Sequence, residues 1–204
     1  MADLPDSRTR ILAAALHILR EQAEPSMGTI AAQAGLSRQA VYLHFDSREE
    51  LLVAVADWAN VTIGLPERMD QVARAESART MLGLFIDVAV WHASQLGPAI
   101  RALDRVMETD SALAERWRAR NGRGAQATKV VESLAEQRQL RPGVSTVEAT
   151  TLLVALTRPG VITDLLNAGL AEITAAQLLY RAVEGAVCDP GDAIRDGAAR
   201  VRRR

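Results

Sequence analysis

Apolar residues recur at helical spacing along most of this chain, and segments with the alternating pattern of a β-strand are nearly absent. The first stripe contains Ile11, Leu12, Ala15, Leu16 and Leu19, whose spacings of three and four place them on one face of a helix. Because a helix with one apolar face must bury it against other elements, the pattern predicts an all-α fold.

Composition and charge narrow the class of protein. The 204 residues are 49% hydrophobic and 24% charged, which predicts a soluble globular chain with a buried core. The formal net charge is −1, so any contact with a polyanion must be local. The single cysteine, Cys188, cannot form an internal disulfide, which is typical of a reducing compartment.

The first residues, MADLPDSRTR, lack the apolar stretch of a signal peptide, and no run approaches the roughly 20 apolar residues of a membrane-spanning helix. The densest run, 81–91, contains Asp87 and is predicted to be a buried helix. Cytoplasmic localisation with no membrane partner is therefore expected.

Capping residues and glycines divide the amino-terminal pattern into four helices. They are predicted at about 8–22, between Ser26 and Gly35, from Ser37 through His44, and from about Arg48, where Ser47 and Glu50 match a capping box. Later helices are predicted at about 72–93, 97–107, 111–139, 146–167 and 175–188. Pro98 would begin one of these, Pro159 would kink another, and the pairs Ser145–Glu148 and Thr174–Gln177 match further capping boxes.

The second and third helices have the spacing of a helix-turn-helix motif. Ala31 is small where two helices would cross, Gly35 tolerates the left-handed turn, and Val41 would anchor the third helix inward. On residue spacing alone, two short helices joined at a glycine also occur in ordinary bundles. In such a bundle the polar residues of the third helix would only face solvent.

With Val41 facing inward, the outer face of the third helix carries Arg38, Gln39, Ala40 and Tyr42. The amino end of such a helix enters the major groove of DNA in helix-turn-helix proteins. Arg38 can donate two hydrogen bonds to guanine, Gln39 can pair with adenine, and Ala40 can contact a thymine methyl group. These residues are the candidate base readers.

The run SMGTIAAQAGLSRQAVYLHFDSREELL, residues 26–52, closely resembles the DNA-binding region of TetR-family transcriptional regulators. The resemblance covers about residues 8–58 strongly, and the helical remainder fits the nine-helix plan of that family. It implies a DNA-binding domain at 1–47, joined through the fourth helix to an effector-binding and dimerisation domain at 48–204. It also implies a homodimeric, ligand-responsive regulator, most often a repressor, with operator DNA and an unidentified small-molecule effector as partners.

The same resemblance implies that Tyr42, His44 and Arg48 hold phosphates, and that Ser26 and Ser37 contact the DNA backbone at two helix starts. Gly28 departs from the family pattern, since a long polar side chain is common there. Base readout is therefore expected to depend more on the third helix.

Charge limits the electrostatic part of DNA binding. Residues 1–48 contain five arginines and five acidic residues, which predicts few phosphate contacts and a modest salt dependence. Arg195, Arg200 and the arginines at 202–204 could compensate, but a solvated tail is the favoured interpretation.

The apolar helix at 81–91 must be packed on several sides, and a sensor would place its cavity beside such a helix. Candidate effector-binding residues are Phe85, Asp87, Trp91, His92, Met107 and Trp117. The large side chains in such positions are more often ordinary core residues, and the polar ones are more often at an exposed edge or hydrogen-bonded in the core. A cavity of this composition predicts a mainly hydrophobic effector with one or two polar groups.

The last two predicted helices carry more apolar surface than one small lobe needs, and the resemblance places the dimer interface there. The candidate interface residues are Leu152, Leu153, Leu156, Leu165, Leu178, Leu179 and Val183. Burial within one subunit is the alternative.

An enzyme is the main rival class. The string NGRGAQA, residues 121–127, matches a dinucleotide fingerprint, but a helical segment precedes it where that motif needs a strand. The three histidines have no metal-ligand spacing. No catalytic residue, metal or cofactor is therefore predicted, and a helical protein-interaction module is the other alternative.

Overall fold

The computed structural model describes residues 6–21, 25–109, 115 and 122–190, without the side chains of 106–109. The described regular elements are ten helices and one isolated antiparallel bridge, Leu140 to Cys188. The helices are α1 Ser7–Arg20, α2 Met27–Ala34, α3 Arg38–Tyr42, α4 Arg48–Thr62, α5 Leu65–Ala73, α6 Ala78–Thr109, α7 Arg123–Glu136, α8 Thr146–Leu156, α9 Pro159–Asn167 and α10 Glu172–Val187.

Short polar side chains begin the amino-terminal helices, as predicted. The Ser26 hydroxyl accepts a hydrogen bond from the Thr29 amide at 3.1 Å, and the Thr29 hydroxyl accepts one from the Ser26 amide. Ser37 accepts from the Ala40 amide at 3.1 Å. Gly35 ends α2 with φ of 65°, the left-handed conformation expected of a glycine at this position.

Two details at α3 and α4 differ from the prediction. Helix α3 ends at Tyr42 rather than His44, because Val41 and Phe45 are both drawn into the core and the chain turns between them. Ser47 does cap α4, but Glu50 accepts its reciprocal hydrogen bond from the amide of Asp46, at 2.8 Å, rather than from Ser47.

Helix α6 is continuous where two helices were predicted. Pro98 lies inside it instead of beginning a new helix. The residue before Pro98 is Gly97, which has no Cβ to clash with the proline ring, so the usual bias against helix at that position is reduced. The predicted helix at 72–93 therefore begins at Ala78 and runs through the predicted helix at 97–107.

The predicted helix at 111–139 is described as α7, Arg123–Glu136, and most of its first part lies outside the described residues.

The predicted helix at 146–167 is two helices, α8 and α9, which are bent by 43° at the break before Pro159. The Ser145–Glu148 capping box is present, whereas Thr174 lies inside α10 and caps nothing. Helix α10 begins earlier, after Ala171, with the acidic Glu172 in its first turn, where the helix dipole favours a negative charge. In the described part of the chain no single helix could cross a membrane, although α8 and α9 together meet the length and composition criterion.

The chain forms two compact units, and α6 contributes to both. Unit 1 comprises residues 1–66 and 95–120, and unit 2 comprises 67–94 and 121–204. The core of unit 1 joins α1, α2, α3 and α4 with the second part of α6. Helix α4, placed by prediction in the second domain, thus packs with the amino-terminal helices; the functional boundary at 47 and 48 remains a prediction.

Candidate functional site

The helix-turn-helix geometry is the first candidate site. Ala31 and Val41 are buried, and Gly35 has the left-handed conformation, so the three predicted roles are confirmed. Arg10 of α1 adds a contact that sequence spacing did not identify. Its Nη2 donates to the carbonyl oxygen of Ala34 at 2.6 Å and to that of Gly35 at 3.3 Å. This guanidinium satisfies carbonyls that the end of α2 leaves without helical partners.

The outer face of α3 presents the candidate base readers. Arg38 and Gln39 are exposed, and Ala40 is partly exposed beside them. The Arg38 Nη2 donates to the Tyr42 hydroxyl at 3.3 Å, and its guanidinium carbon lies 5.6 Å from the centre of the Tyr42 ring. The two side chains therefore form an i, i+4 pair on the exposed face.

The five residues assigned to the DNA backbone differ in what they already bind. The hydroxyls of Ser26 and Ser37 accept bonds from their own helix starts. Tyr42 and His44 are exposed. Arg48 is half-buried, and its Nε donates to the carbonyl oxygen of Pro25 at 2.7 Å. Arg48 thus ties the start of α4 to the segment before α2, a role that the spacing did not indicate.

An exposed apolar side chain lies beside this face. Leu43 is 82% exposed immediately after α3. Leu43 is not among the site residues predicted from the sequence.

The structure describes four of the six candidate effector residues, Phe85, Asp87, Trp91 and His92, and places them in different surroundings. Phe85 is buried in the core of unit 2 and Asp87 is exposed. Trp91 is partly buried, and the guanidinium carbon of Arg68, on α5, lies 3.9 Å from its ring centre. Met107 and Trp117 lie among the side chains that the structure does not describe.

Two of the predicted polar residues have shifted titration. Burial, with a smaller effect of the positive charge on Arg123, lowers the pKa of His92 from 6.5 to about 4. The imidazole is therefore neutral at pH 7. Partial desolvation raises the pKa of the Asp87 carboxyl.

An open groove of about 320 Å³ lies between α6 and α10 in unit 2. Its lining residues are Gly83, Asp87, Ala176, Gln177, Tyr180 and Arg181. Only Asp87 belongs to the predicted effector set. Of the other five lining residues, four lie on α10 and one, Gly83, lies on α6. Sequence periodicity gives no signal that these two helices are adjacent.

A polar network lies one helical turn beyond Gly83 and Tyr180. Arg79 of α6 forms an ion pair with Glu184 of α10 and donates to the carbonyl oxygen of Asp189 at 2.8 Å. The Tyr180 hydroxyl donates to Glu184 Oε1 at 3.0 Å. Burial and the adjacent carboxylate raise the pKa of Tyr180 to about 12, so this hydroxyl remains a donor.

The candidate dimer residues fall into two groups. Leu153, Leu179 and Val183 are buried in the core of their own chain, so these three do not form an accessible surface. Leu152, Leu156 and Leu165 are partly exposed, and Leu178 is 41% exposed. The exposed stripe on α10 consists of Leu178 with small residues one and two turns later, Ala182 and Gly185.

The chain resembles known proteins in part of its sequence and in its fold. Residues 11–55 match the family described as bacterial regulatory proteins, tetR family. No curated protein matches the chain by sequence.

Several solved structures share the fold. FadR from Bacillus subtilis, a transcriptional regulator solved in complex with stearoyl-CoA, is 18% identical, with a TM-score of 0.67 over 86% of this chain and 96% of that one. NalD from Pseudomonas aeruginosa, the secondary repressor of the MexAB-OprM multidrug efflux pump, is 24% identical, with a TM-score of 0.67 over 90% and 97%. A TetR-like regulator from Rhodococcus sp. RHA1 is 19% identical, with a TM-score of 0.65 over 89% and 96%.

The fold and the site define a helical protein with an amino-terminal helix-turn-helix domain, the architecture of bacterial transcriptional regulators. The amino-terminal domain is that of the TetR family. The resemblance and the all-α fold predicted from the sequence are both confirmed.

Proposed function

We propose that this chain is a ligand-responsive transcriptional repressor that binds operator DNA as a homodimer. The observation that carries the proposal is the exposed face of α3, where Arg38 and Gln39 stand outward while Val41 anchors the helix. This face lies in the segment that matches the tetR family. The repressor NalD and the stearoyl-CoA complex of FadR have the same fold, which supports the regulatory class and a small-molecule effector.

The amino end of α3 enters the major groove in this proposal. Arg38 reads guanine, Gln39 reads adenine and Ala40 contacts a thymine methyl group. A guanidinium has five N–H donors, so Arg38 can keep its Tyr42 contact and still bind guanine with two parallel hydrogen bonds. His44 and Arg48, with the helix starts at Ser26 and Ser37, position the domain on phosphates.

The homodimer uses the exposed parts of α8, α9 and α10. Leu178, Ala182 and Gly185 form a narrow stripe that a second copy of α10 can approach closely. Leu152, Leu156 and Leu165 add partly exposed apolar surface. A two-fold dimer then presents two α3 helices to half-sites about 34–36 Å apart.

An effector bound in unit 2 changes the spacing of the two α3 helices. Helix α4, through which the two domains were expected to join, belongs entirely to unit 1, whereas α6 is shared by both units. We therefore assign the coupling to α6. The effector must bind the two conformers with different affinity, and a coupling of roughly 1–3 kcal/mol is typical. Cytoplasmic localisation follows from this role.

Selection from a random double-stranded DNA library tests the proposal. The full-length protein is expected to enrich a two-fold symmetric sequence, and the enriched DNA to bind with nanomolar to tens of nanomolar affinity at physiological salt, on the order of 10⁻⁸ M. A folded protein that enriches no sequence, and that heparin does not retain, would contradict DNA binding. That result would favour the helical interaction module instead.

A further inference from the structure

The register of α6 against α10 along the groove follows from two contacts between the helices. Arg79 pairs with Glu184, and a Cβ built on Gly83 would lie 3.7 Å from Cε2 of Tyr180. Partners that rise along α6 thus fall along α10, so the two helices run antiparallel. Continuing this register by one turn places Asp87 opposite Ala176 and Gln177, which line the same groove.

The floor of the groove is apolar. Gly83 puts no side chain over the Tyr180 ring, whereas an added Cβ there would already be in van der Waals contact with the ring. The Tyr180 hydroxyl is directed to Glu184, so the ring rather than its polar end is offered to the groove. Ala176 completes a surface suited to a short chain of methylene groups.

The two ends of the groove carry opposite charges that are not paired with each other. The ion pairs among the described residues are His17–Glu21, Asp70–Arg74 and Arg79–Glu184, so neither Asp87 nor Arg181 belongs to one. In the antiparallel register Arg181 is five helical positions from Asp87, or about 7–8 Å along the groove at 1.5 Å per residue. Partial desolvation of the Asp87 carboxyl increases its gain from a bound cation.

We propose that this groove binds a small linear zwitterion, with an ammonium group on Asp87, a methylene chain over Tyr180 and a carboxylate on Arg181. Gln177, exposed on the same wall, can hydrogen-bond either end. A simple cation would meet the Arg181 charge, and a simple anion would meet that of Asp87. An uncharged hydrophobic ligand would cover both charges without pairing them, which costs free energy.

This ligand class differs from the hydrophobic effector expected from the sequence, because only Asp87 of the expected pocket lines the groove. Its role as the effector rests on the proposed function. The binding step does not, because it can be measured without DNA.

Isothermal calorimetry with 6-aminohexanoate on the full-length protein tests the site. The probe carries both charges at a matching separation, whereas hexanoate and hexylamine each carry one. We expect saturable binding of 6-aminohexanoate with a stoichiometry of one per chain, and at least roughly tenfold weaker binding of each singly charged compound, since loss of one charge-assisted contact is worth about a factor of ten. Equal binding of all three compounds, or no binding of 6-aminohexanoate, overturns the proposal.

Variants identify the groove as the place of binding. Asp87→Asn and Arg181→Gln should each weaken 6-aminohexanoate roughly tenfold or more. The matched controls, Asp70→Asn and Arg74→Gln, remove exposed charges elsewhere in unit 2 and should leave binding unchanged. Gly83→Val fills the space over Tyr180 and should abolish binding, whereas Gly124→Val, with no atom within 4 Å of its Cβ position, should not. Unchanged binding in folded Asp87→Asn and Arg181→Gln proteins overturns the assignment.

The regulatory role is measured separately on the selected operator DNA. Release of DNA over the concentration range in which 6-aminohexanoate binds supports the effector role, as reciprocal linkage requires. A protein that binds both DNA and the probe, with no effect of one on the other, overturns that role. A protein that binds the probe but no DNA contradicts the proposed function and leaves the zwitterion site supported.

Discussion

Single residues fix the turn between α2 and α3. Gly35 has a positive φ of 65°, which costs a residue with a Cβ about 1–2 kcal/mol. Arg10 reaches across from α1 and donates to the carbonyls of Ala34 and Gly35. The turn that aims α3 therefore depends on one local feature and on one long-range contact.

Two glycines of this motif should respond in opposite directions to alanine. Gly35→Ala is expected to lower the free energy of unfolding by about 1–2 kcal/mol because of its left-handed backbone. Gly28→Ala lies in α2 with only Ser26 Oγ nearby, at 3.8 Å, and should raise it by about 0.5–1 kcal/mol. Urea unfolding followed by circular dichroism measures both. Equal effects of the two substitutions would contradict the strained-turn argument.

Base reading also belongs to the residue scale. Arg38→Ala should cost about 1–3 kcal/mol on the selected operator and should relax specificity at one base position. The measurement is affinity for all four base variants at each position. Arg74→Ala is the charge-matched control, because it removes an exposed positive charge from the segment between α5 and α6. This variant should keep the parent's base preference at every operator position. Tyr42→Phe is not an independent control, because the Tyr42 hydroxyl accepts a bond from Arg38. If Arg38→Ala keeps the parent's ratio among base variants, Arg38 is not a reader.

At the scale of elements, α6 joins the two compact units as one continuous helix. Its first part packs in unit 2 and its second part contributes Leu96, Ala99, Ala102 and Leu103 to the core of unit 1. His92 lies just before the division, and its burial keeps the imidazole neutral. The stability of this part of α6 should therefore depend on pH.

The expected dependence follows from the lowered pKa of His92. In the unfolded chain the imidazole takes up a proton near pH 6.5, whereas in the native protein it does so near pH 4. The unfolded state binds more protons between these values, so the free energy of unfolding falls as the pH drops from about 6.5 to about 4. The loss is a few kcal/mol at most, since one pKa unit corresponds to about 1.4 kcal/mol.

His92→Gln should lose less stability over that interval than the parent protein does. Urea unfolding at pH 7, 5.5 and 4.5 measures the free energy of unfolding of both proteins. The difference between the two proteins at pH 7 gives the effect of the substitution that does not depend on protonation of His92. Identical pH dependence of the two proteins would show that the native imidazole is accessible to protons.

At the scale of the whole molecule, an apolar stripe on α10 is the basis for the proposed dimer. Leu178 is 41% exposed, and Ala182 and Gly185 continue its face at helical spacing. Ile173, 70% exposed on the same helix, points to a different side because five residues correspond to about 140° of rotation.

Leu178→Glu is therefore expected to give monomers with much weaker operator affinity, because two charges would enter an apolar interface near a two-fold axis. Ile173→Glu adds the same charge to the same helix and should remain dimeric. Sedimentation velocity distinguishes the two species, and circular dichroism checks that both variants fold. A dimeric Leu178→Glu protein would place the interface on another surface.

Local features of this protein are readable from its sequence. The helical class, the caps at Ser26, Ser37, Ser47 and Ser145, and the left-handed conformation of Gly35 all depend on residues within about four positions of each other. The candidate DNA-reading face follows from the same local rules, because burial of Val41 decides which side of α3 is outside.

Other features depend on residues far apart in the chain, and only the tertiary structure decided them. Arg10 caps a helix end 24 residues away, and the groove joins Gly83 to Tyr180. Apolar character favours burial of a leucine but does not specify which surface covers it. Leu153 and Leu179 are covered by their own chain. Leu178, next to Leu179 in the sequence, is exposed because successive helical residues differ by about 100° in direction.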